Sequence, residues 1–366
     1  MTTTVNNEHK NIKVPNLRFK EFQGEWEMCK FKDVCSTSTG NKNTQDKIDD
    51  GIYPFYVRSQ TVERINSWTF DGEAILTAGD GVGVGKVFHH TYGKIGVHQR
   101  VYILSNFKCD ANYLFHFFSS HFYNRVKRMS AKNSVDSVRK EMITEMPLYL
   151  PSKQEQTKIG VLLSLLDERI STQNKIIEDL KKLKCAIAER LFNVTDGDSV
   201  PLTEVCTIQK GKQINGEFLS EKGKYYVMNG GTEPSGYYDK SNAPADTISI
   251  SEGGNSCGYI QYNREAFWSG GHCYTLNNIT PNVCKLYLYH YLKSQEGSIM
   301  KLRIGTGLPN IQKKDLEKFC ILLPSKAKQE SISTFLTALE SKIANEEMLQ
   351  NYFQEEKLYL LRQMFI

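Results

Sequence analysis

Residues 150–170 read LPSKQEQTKIGVLLSLLDERI, and residues 323–343 read LPSKAKQESISTFLTALESKI. The two segments align without a gap, so that Gln156 matches Gln329. Further matches at nearly the same offset extend upstream through each half of the chain. The period, about 173 residues, is far longer than that of a solenoid repeat. It predicts that the chain is a duplication of one module.

Each repeated segment opens a long stretch in which apolar residues recur at alternating steps of four and three. From 152 to 192 the sequence contains no proline and a single glycine. Heptad spacing over about 40 residues predicts a helix roughly 60 Å long. The alternative is a helix that belongs to the core of its own domain, but the seam is too long for one small domain to cover. We therefore expect the two helices to pair, antiparallel because each follows its own globular domain. The predicted pairing residues are Ile159, Leu163, Leu166, Ile170, Ile332, Leu336, Leu339 and Ile343.

The sequence before each helix is rich in glycine, tyrosine and phenylalanine. Short β-type runs such as 74–77 and 247–251 alternate with turns of Gly, Asp and Asn. Aromatic residues at helical spacing predict helices over 113–128 and 284–302. The predicted fold is α/β (α+β), with two globular domains separated by a pair of long antiparallel coiled-coil helices and a pseudo-two-fold internal repeat. The predicted boundaries are 1–150 and 196–324 for the globular domains, and 151–195 and 325–366 for the helices.

The net charge of the 366 residues is +5, from 46 Lys and Arg against 41 Asp and Glu. Residues 1–150 hold 20 basic and 16 acidic residues, a charge of +4, whereas residues 196–324 hold 13 of each. No segment has the dense basic run of a non-specific nucleic-acid binder. Apolar runs of about six residues predict no membrane span. The polar first ten residues, and nine cysteines without zinc-ligand spacing, predict a cytoplasmic protein with reduced thiols.

The stretch 79–86, Gly-Asp-Gly-Val-Gly-Val-Gly-Lys, has the composition of a phosphate-binding loop without its spacing. In that motif the first glycine stands five residues before the second, where this sequence has Asp80, and Ser or Thr follows the lysine, where it has Val87. We therefore interpret the stretch as a hairpin beside a bound backbone rather than as a nucleotide site.

The sequence contains no HExxH motif, the signature of a zinc metalloprotease. Asp80 and Asp136 each lack a second carboxylate at the repeated position. His98 and His272 lie in apolar strands, and we interpret them as an equivalent pair of core histidines. The sequence therefore predicts no catalytic residue and no metal site.

Three segments carry a family resemblance. Residues 14–19, Val-Pro-Asn-Leu-Arg-Phe, followed by Trp26, resemble the N-terminal signature of the specificity subunits of type I restriction-modification systems. Residues 305–311, Gly-Thr-Gly-Leu-Pro-Asn-Ile, resemble the segment that ends their target-recognition domains. The Leu-Pro-Ser-Lys-x-x-Gln motif before each long helix resembles their spacer regions. The resemblance extends from residue 14 to the last residue, and the first copy departs from it at 134–138.

The resemblance implies that each globular domain is a target-recognition domain that reads one half of an asymmetric, bipartite site in double-stranded DNA. The helices would set the gap between the halves and dock two methyltransferase subunits, which carry S-adenosylmethionine and methylate adenine at N6. Two restriction subunits would complete the complex. The chain itself would be non-catalytic and would bind no cofactor. The alternatives are a stand-alone nuclease or methyltransferase, a coiled-coil scaffold, and a DNA-binding protein without a restriction partner.

Candidate DNA contacts follow from charge and from polar groups near the glycine-rich turns. Lys and Arg bind phosphates, and polar side chains read base edges. The alternative for each residue is a solvated surface position. The candidates in the first domain are Lys42, Arg58, Lys86, Arg100, Arg125, Lys127, Arg128, Lys132 and Arg139. Those in the second domain are Lys210, Lys212, Asn229, Asn255, Ser256, Lys301, Arg303 and Asn310.

Overall fold

The computed structural model describes residues 13–130, 137–305, 307 and 309–366. The chain divides into two units: unit 1 is Met1–Gln173 with Leu349–Ile366, and unit 2 is Asn174–Met348. Each unit contains a globular α/β part and a section of each long helix, because the division falls inside both helices. The predicted α/β class, with two globular domains and two long helices, is confirmed. Within the described ranges no helix is long and apolar enough to cross a membrane.

Short strands and short helices form the globular part of unit 1, ahead of the first long helix. The elements are β1 (Glu27–Lys30), α1 (Phe31–Val34), β2 (Ser36–Thr39), β3 (Tyr53–Tyr56), β4 (Val62–Ile65), β5 (Phe70–Asp71), β6 (Ala74–Ala78), β7 (Phe88–Thr91), β8 (Lys94–Val97), β9 (Val101–Ser105), α2 (Ala111–Met129), α3 (Lys140–Thr144), β10 (Pro147–Leu150) and α4 (Lys153–Asn193). Two four-stranded sheets have the orders β2-β9-β6-β7 and β4-β3-β8-β5. The antiparallel pair β1 and β10, with Glu27 opposite Leu150, joins the two ends of this globular part.

The core of unit 1 forms around α2, whose apolar residues recur every three to four positions. Tyr113, Phe118 and Phe122 are fully buried, and the ring centroid of Phe118 lies 5.2 Å from that of Phe31. Burial of such a side chain contributes roughly 1.5–3 kcal/mol. Asp110 caps the helix, because its Oδ1 accepts a hydrogen bond from the Tyr113 amide at 3.0 Å. Burial and capping therefore fix both the position of α2 and the residue at which it begins.

The globular part of unit 2 repeats most of the element order of unit 1, but its described residues form no strand that matches β5, and two helices take the place of α2. The elements are β11 (Asp198–Pro201), α5 (Leu202–Val205), β12 (Thr207–Lys210), β13 (Tyr225–Met228), β14 (Tyr237–Tyr238), β15 (Thr247–Ser251), β16 (Ile260–Asn263), β17 (Trp268–Ser269), β18 (Cys273–Asn277), α6 (Lys285–Ser294), α7 (Glu296–Met300), α8 (Lys313–Glu317), β19 (Cys320–Leu323) and α9 (Lys326–Gln363). The sheet β12-β18-β15-β16 corresponds to β2-β9-β6-β7, and the three-stranded sheet β14-β13-β17 to β4-β3-β8-β5. The pair β11 and β19 repeats the closing pair of unit 1.

Buried hydrogen bonds also recur between the units. The Tyr113 hydroxyl donates to the Tyr149 carbonyl at 2.8 Å, and the Tyr287 hydroxyl donates to the Leu322 carbonyl at 2.8 Å. Each tyrosine ties the aromatic helix of its unit to the strand that precedes a long helix. The sequence repeat is therefore also a repeat of side-chain contacts.

The hydrogen bonds of Gln156 and Gln329 explain why the Leu-Pro-Ser-Lys-x-x-Gln motif ends in glutamine. The Gln156 side chain donates to the carbonyl of the proline five residues earlier, at 2.8 Å, and accepts from the Asp110 amide at 2.9 Å. Gln329 makes the same two bonds, at 2.8 Å to its proline and at 2.7 Å from the Cys284 amide. Asp110 and Cys284 immediately precede α2 and α6. Each glutamine therefore fastens the start of a long helix to the start of an aromatic helix.

The long helices run antiparallel in unit 1. Lys357 of α9 forms an ion pair with Asp167 of α4. Two residues further along α4, the Arg169 guanidinium lies 5.3 Å from the ring centroid of Phe353, which is four residues earlier in α9. Residue numbers therefore rise along α4 in the direction in which they fall along α9, as expected for antiparallel helices.

Unit 2 shows the same antiparallel direction. Lys184 of α4 forms an ion pair with Glu340 of α9, and Lys181 lies 2.6 Å from Glu347. Lys184, which interrupts the apolar seam in the sequence, is thus matched by an acidic residue of the other helix. The charge at a seam position is explained by this pairing.

The predicted seam residues serve two kinds of packing. In unit 1, Ile159 and Leu163 are buried in the core cluster that contains Tyr113 of α2, together with Phe365 just after α9. The first turns of α4 therefore complete the core of a globular domain as well as meeting the other helix. Both interpretations of the heptad pattern hold, each for part of the helix.

The second set of seam residues behaves similarly. In unit 2, Ile332 and Leu336 of α9 pack with Phe192 of α4 and with Tyr287 of α6 in one cluster. The remaining residues of the predicted seam are less uniform in burial. Leu166, Ile170 and Leu339 are half-buried, and Ile343 is buried.

Candidate nucleic-acid interface

A glycine-rich hairpin loop follows β6 in unit 1 and β15 in unit 2, which are equivalent central strands of the sheets β2-β9-β6-β7 and β12-β18-β15-β16. The loop after β6 contains Gly81 and Gly85 with φ of 75° and 65°, and the loop after β15 contains Gly254 and Gly258 with φ of 75° and 94°. A Cβ at Gly85 would lie 2.9 Å from the ring of Tyr123. Glycine is therefore required both by the left-handed backbone and by the close approach of α2. The prediction of a hairpin over 79–86 agrees with this geometry.

Each loop is held by backbone contacts from two other segments. In unit 1 the Gly79 amide donates to the Arg100 carbonyl at 2.7 Å, and Asp80 forms a β-bridge with Ser137. In unit 2 the Glu252 amide donates to the His272 carbonyl at 2.9 Å. A β-bridge between Gly253 and Asn310 repeats the bridge of unit 1, in register with the match of Gln156 to Gln329. Gly79 is therefore equivalent to Glu252, and Arg100 to His272.

Asp80 gathers two of the predicted DNA contacts in unit 1. Its Oδ1 accepts a hydrogen bond from Arg58 at 2.9 Å, and its Oδ2 lies 3.7 Å from the Arg100 guanidinium. Both arginine side chains are largely exposed. The His98 ring accepts from the Arg100 amide at 3.0 Å, and Lys42 forms a β-bridge with His98. The structure thus brings three predicted cations, Arg58, Arg100 and Lys42, to one side of the loop.

Glu252 has the corresponding place in unit 2, with different chemistry. Its Oε1 accepts from the Lys210 ammonium and from the Tyr274 hydroxyl, the latter at 3.1 Å. Burial and the charge of Glu252 raise the pKa of Tyr274, so the phenol stays protonated and donates. The His272 Nδ1 lies 3.4 Å from Glu252 Oε2. A buried carboxylate therefore stands between an exposed lysine and an exposed histidine.

The prediction that His98 and His272 are equivalent core histidines is wrong for His272. His98 is buried, whereas 60% of the His272 side chain is exposed. The backbone contacts show that His272 corresponds to Arg100, two residues beyond His98. The sequence comparison matched the wrong residues because a histidine occurs shortly before β9 in the first copy and shortly before β18 in the second.

Polar residues predicted in unit 2 surround the same loop. Asn229 Oδ1 accepts from the His272 amide at 3.1 Å. Asn255 and Ser256 are in the loop itself, and Asn310 pairs with both Gly253 and Ile304 through its backbone. Asn255 and Asn310 are exposed and Ser256 is half-buried, as the burial of the loop shows.

The remaining basic candidates of unit 2 are exposed. Arg303 precedes Ile304, which pairs with Asn310, and Lys301 stands two residues earlier. Lys212 is exposed beyond the end of β12, and its carbonyl accepts from the Trp268 indole at 2.9 Å. Of these three cations, Arg303 is the one next in sequence to a residue, Ile304, that pairs with a partner of the loop, Asn310.

Arg125, one of the predicted DNA contacts, also makes contacts within unit 1. Its guanidinium donates to the carbonyls of Met142 and Glu145, at 2.6 and 2.8 Å. Burial lowers the pKa of the group. Arg125 therefore fastens α2 to the segment around α3 through two of its five N–H donors.

The other basic candidates of unit 1 lie around the end of α2. Lys127 and Arg128 are exposed in its last turn, and Arg139 is exposed just before α3. Lys86 in the loop lies 5.6 Å from the ring centroid of Tyr123 in α2. Lys132 lies outside the described residues.

Sequence reasoning missed the two carboxylates and His272. Asp80 was set aside because the repeated position carries no carboxylate, but the acidic residue of the second copy stands one position earlier, at Glu252. An acidic residue directly before or within each glycine-rich turn was the available signal. A comparison of the two copies at one fixed offset does not detect this signal, because the two acidic residues differ by one position.

The arrangement supplies fixed charges and hydrogen-bonding groups. Among the described residues no group of three or more His, Cys, Asp and Glu side chains could hold a metal ion. Exposed cations suit phosphates, and a carboxylate or amide beside them suits the edge of a base. The two loops therefore have the components of a nucleic-acid interface.

Comparisons with known proteins agree with this interpretation. The family model described as "Type I restriction modification DNA specificity domain" matches residues 23–182 and 196–352. A protein of Mycoplasma genitalium named as a type I specificity subunit is 36% identical over 140 residues, which are 38% of this chain and 36% of that protein. The specificity subunit of the type I restriction enzyme EcoDI of Escherichia coli is 27% identical over 173 residues, which are 46% of this chain and 38% of the subunit. The chain thus spans well under half the length of these relatives.

Solved structures share the fold at low sequence identity. The crystal structure of the type I restriction-modification system S subunit from M. genitalium matches with a TM-score of 0.73 and 19% identity, over 96% of this chain and 99% of that one. A chain from a study of complex assembly and conformational transition of the type I restriction-modification system matches with a TM-score of 0.56 and 16% identity, over 93% and 96%.

Proposed function

Because the chain belongs to the family of type I restriction-modification DNA specificity domains, we propose that it is the DNA sequence-specificity subunit of such a system. Each unit reads one half of an asymmetric, bipartite site in double-stranded DNA. The observation that carries the proposal is the duplicated loop with a carboxylate held between basic side chains, Asp80 in unit 1 and Glu252 in unit 2. A DNA substrate implies a cytoplasmic protein.

The two loops differ in the groups that they present. Unit 1 offers the arginines Arg58 and Arg100, whose guanidinium groups match guanine edges and phosphates. Unit 2 offers Lys210 and His272 around Glu252, with amide side chains nearby. Since base readout depends on which donors and acceptors face the groove, unequal loops imply unequal half-sites.

We further propose that the long helices set the gap between the half-sites and dock two methyltransferase subunits. Exposed apolar side chains on the helices support the docking. In unit 1, Leu165 is 59% exposed and Tyr352 is 60% exposed, and in unit 2, Leu183 is 50% exposed. Apolar side chains that are exposed on a helix lose contact with water, and so gain free energy, when a partner covers them. The docked subunits would carry S-adenosylmethionine and methylate adenine at N6, and two restriction subunits would complete the complex, while this chain contributes recognition rather than catalysis.

A domain exchange tests the proposal. The full chain is expressed with the methyltransferase from the same genome, and methylated adenines are mapped in host DNA. Replacing residues 26–150 by the matching domain of another family member is expected to change one half of the methylated site and leave the other half unchanged. A control exchange of the segment 199–319, in the second unit, is expected to change only the opposite half. Methylation that stays the same in both exchanges would contradict the proposal.

A further inference from the structure

We propose that Glu252 reads a base in the half-site of unit 2, its carboxylate accepting a hydrogen bond from the exocyclic amino group of cytosine or adenine. The proposal rests on the proposed function, because it assigns one residue of the DNA-reading surface. It adds a specificity-determining residue that basic charge alone does not identify.

The carboxylate of Glu252 is buried, but only one of its two oxygens accepts hydrogen bonds. The residue is 8% exposed, and Oε1 accepts from both Lys210 and Tyr274. Oε2 has no hydrogen-bond partner among the described residues, and His272 Nδ1 lies 3.4 Å away without forming a hydrogen bond. A buried acceptor without a donor is costly in free energy, so it is normally satisfied by protein, water or a ligand. Here a donor from outside the chain would satisfy it.

Asp80 provides a contrast within the same molecule. Both of its oxygens face arginines, Oδ1 toward Arg58 and Oδ2 toward Arg100. Asp80 is therefore suited to orient two cations that themselves contact DNA. Glu252 keeps one oxygen for an incoming donor, which makes it suited to contact a base directly.

Access to Oε2 depends on His272 and on two glycines. The His272 side chain is 60% exposed and can move aside without disturbing the core. A Cβ at Gly230 would lie 3.1 Å from the His272 Cβ, and one at Gly253 would lie 3.8 Å from the His272 Nδ1. A side chain at either position would lie against His272, so glycine leaves the imidazole free to turn away and expose the buried Oε2 to a base.

The chemistry of the major groove selects the donor. Cytosine presents its N4 amino group there, and adenine its N6 amino group, whereas guanine O6 and N7 and thymine O4 are acceptors that a carboxylate repels. Lys210 beside Oε1 offsets the repulsion between the carboxylate and nearby phosphates. Glu252 is therefore expected to favour an amino-bearing base at one position.

The first experiment compares wild type with Glu252→Gln, each as the full chain bound to the methyltransferase of the same genome. A duplex library with a randomised segment is selected for binding and sequenced. Glutamine keeps an acceptor for Lys210 and Tyr274 but loses the negative charge and gains an amide donor. The variant is expected to relax or change the preference at one position of the unit 2 half-site by about tenfold, with the unit 1 half-site unchanged.

A matched control removes a carboxylate from the same unit away from the loop. Glu265 is exposed and stands shortly after Asn263, which pairs with Thr247 at the opposite end of β15 from Glu252. A five-residue strand spans roughly 17 Å, so Glu265→Gln is expected to select the wild-type site. A wild-type site from Glu252→Gln as well would overturn the inference while leaving the proposed function intact. Failure of the wild-type protein to select any bipartite site would overturn both.

Base analogues test the contact without depending on the fold of the variant. In the selected duplex, each adenine is replaced by purine, which lacks the 6-amino group, and each cytosine by a pyrimidinone that lacks the 4-amino group. At one position in the unit 2 half-site, wild type is expected to lose about tenfold in affinity, and Glu252→Gln to lose less. Equal losses in both proteins at every position would contradict the contact.

Discussion

Arg18 shows what the N-terminal Leu-Arg-Phe signature does in the fold. Its Nε and Nη2 donate to the two carboxylate oxygens of Glu155, at 2.7 and 2.8 Å, and its Nη1 donates to the Gly24 carbonyl at 2.6 Å. Glu155 is buried at the start of α4 and is 1% exposed. Planar guanidinium matches carboxylate in this two-bond geometry, which lysine cannot reproduce. The signature therefore fixes the entry of the chain against the first long helix.

Removing Arg18 should leave a buried carboxylate without its partner. Arg18→Met is expected to lower the free energy of unfolding of unit 1 by about 3 kcal/mol, because breaking one side of a buried pair leaves an uncompensated charge. Urea unfolding followed by hydrogen exchange of unit 1 amides measures the loss. The double variant Arg18→Met with Glu155→Met removes both charges and should recover part of it. An equal loss in the single and double variants would show that the pair itself matters little.

His116 and His290 give the molecule a dependence on acid. Burial lowers the pKa of each to about 4, against the nearby carboxylates Asp167 and Glu340, which favour protonation. The unfolded chain binds a proton near pH 6.5, so each histidine contributes stability above that pH, and the contribution is lost as pH falls toward 4. The loss amounts to up to about 3 kcal/mol for each histidine.

Thermal unfolding between pH 7 and pH 5 is expected to show a falling midpoint. Gln at both positions, as His116→Gln with His290→Gln, keeps a polar group near Ser164 and Thr337 but cannot titrate. The double variant should therefore show a flatter profile over this range. A double variant as steep as wild type would assign the acid sensitivity to other groups.

At the scale of elements, a carboxylate on each long helix meets a lysine of the other long helix and a histidine of the globular part. Asp167 of α4 pairs with Lys357 of α9 and lies 3.7 Å from His116. Glu340 of α9 pairs with Lys184 of α4 and lies 3.8 Å from His290, with a further bond from the Tyr289 hydroxyl at 3.1 Å. The roles of the two helices are exchanged between the units. These contacts specify register more than they add stability, because apolar packing alone would tolerate a slip of one heptad.

Reversing the charge of one residue should disturb this register, and reversing both should restore it. Asp167→Lys places two cations together and is expected to lower the thermal midpoint of unit 1, with a cost of about 1 kcal/mol since both side chains are partly exposed. Asp167→Lys with Lys357→Asp should return most of the loss. The surface pair of Lys182 and Asp179, separated by 4.0 Å with side chains 76% and 79% exposed, offers the control. Asp179→Lys is expected to change stability by less than about 0.5 kcal/mol.

The elements differ in how far their sequence determines them. The heptad pattern, the Leu-Pro start and the constant offset between the copies were enough to predict both long helices and the duplicated α/β plan. The pattern could not show that Ile159 and Leu163 pack into the unit 1 core, because a heptad position does not state which neighbour covers it. The internal hydrogen bonds of Arg125 could not be predicted from the sequence for a similar reason. An arginine reads as exposed until a neighbouring backbone, here at Met142 and Glu145, provides buried acceptors.

The candidate site was only partly predictable. Arg58, Arg100 and Lys210 were identified from charge, but their partners Asp80 and Glu252 were not, since the two acidic residues stand one position apart in the repeat. Their equivalence depends on loop geometry, which bridges Asp80 to Ser137 and Gly253 to Asn310. A sequence alignment compares residues at fixed positions. In the fold, a carboxylate can reach the same location from either of two neighbouring positions of the chain.

At the scale of the whole molecule, the duplicated units divide the charge unequally. Residues 1–150 have a charge of +4 and residues 196–324 have none. Phosphate binding releases counterions, and the salt dependence of affinity counts the phosphates neutralised. Most of the salt dependence of DNA binding should therefore come from unit 1, while unit 2 contributes relatively more through base contacts such as the one proposed for Glu252.

The salt dependence of DNA affinity, measured with two arginines of unit 1 replaced, tests this unequal contribution of the two units. The full chain with its methyltransferase is titrated onto its selected duplex at several salt concentrations. Arg58→Met with Arg100→Met is expected to flatten the slope of log affinity against log salt by up to about 2, since each lost phosphate contact removes about 0.9. Lys108→Met removes an exposed cation beyond the other end of β9 and should leave the slope unchanged. An unchanged slope in the double arginine variant, together with altered base preference, would instead assign these arginines to base readout.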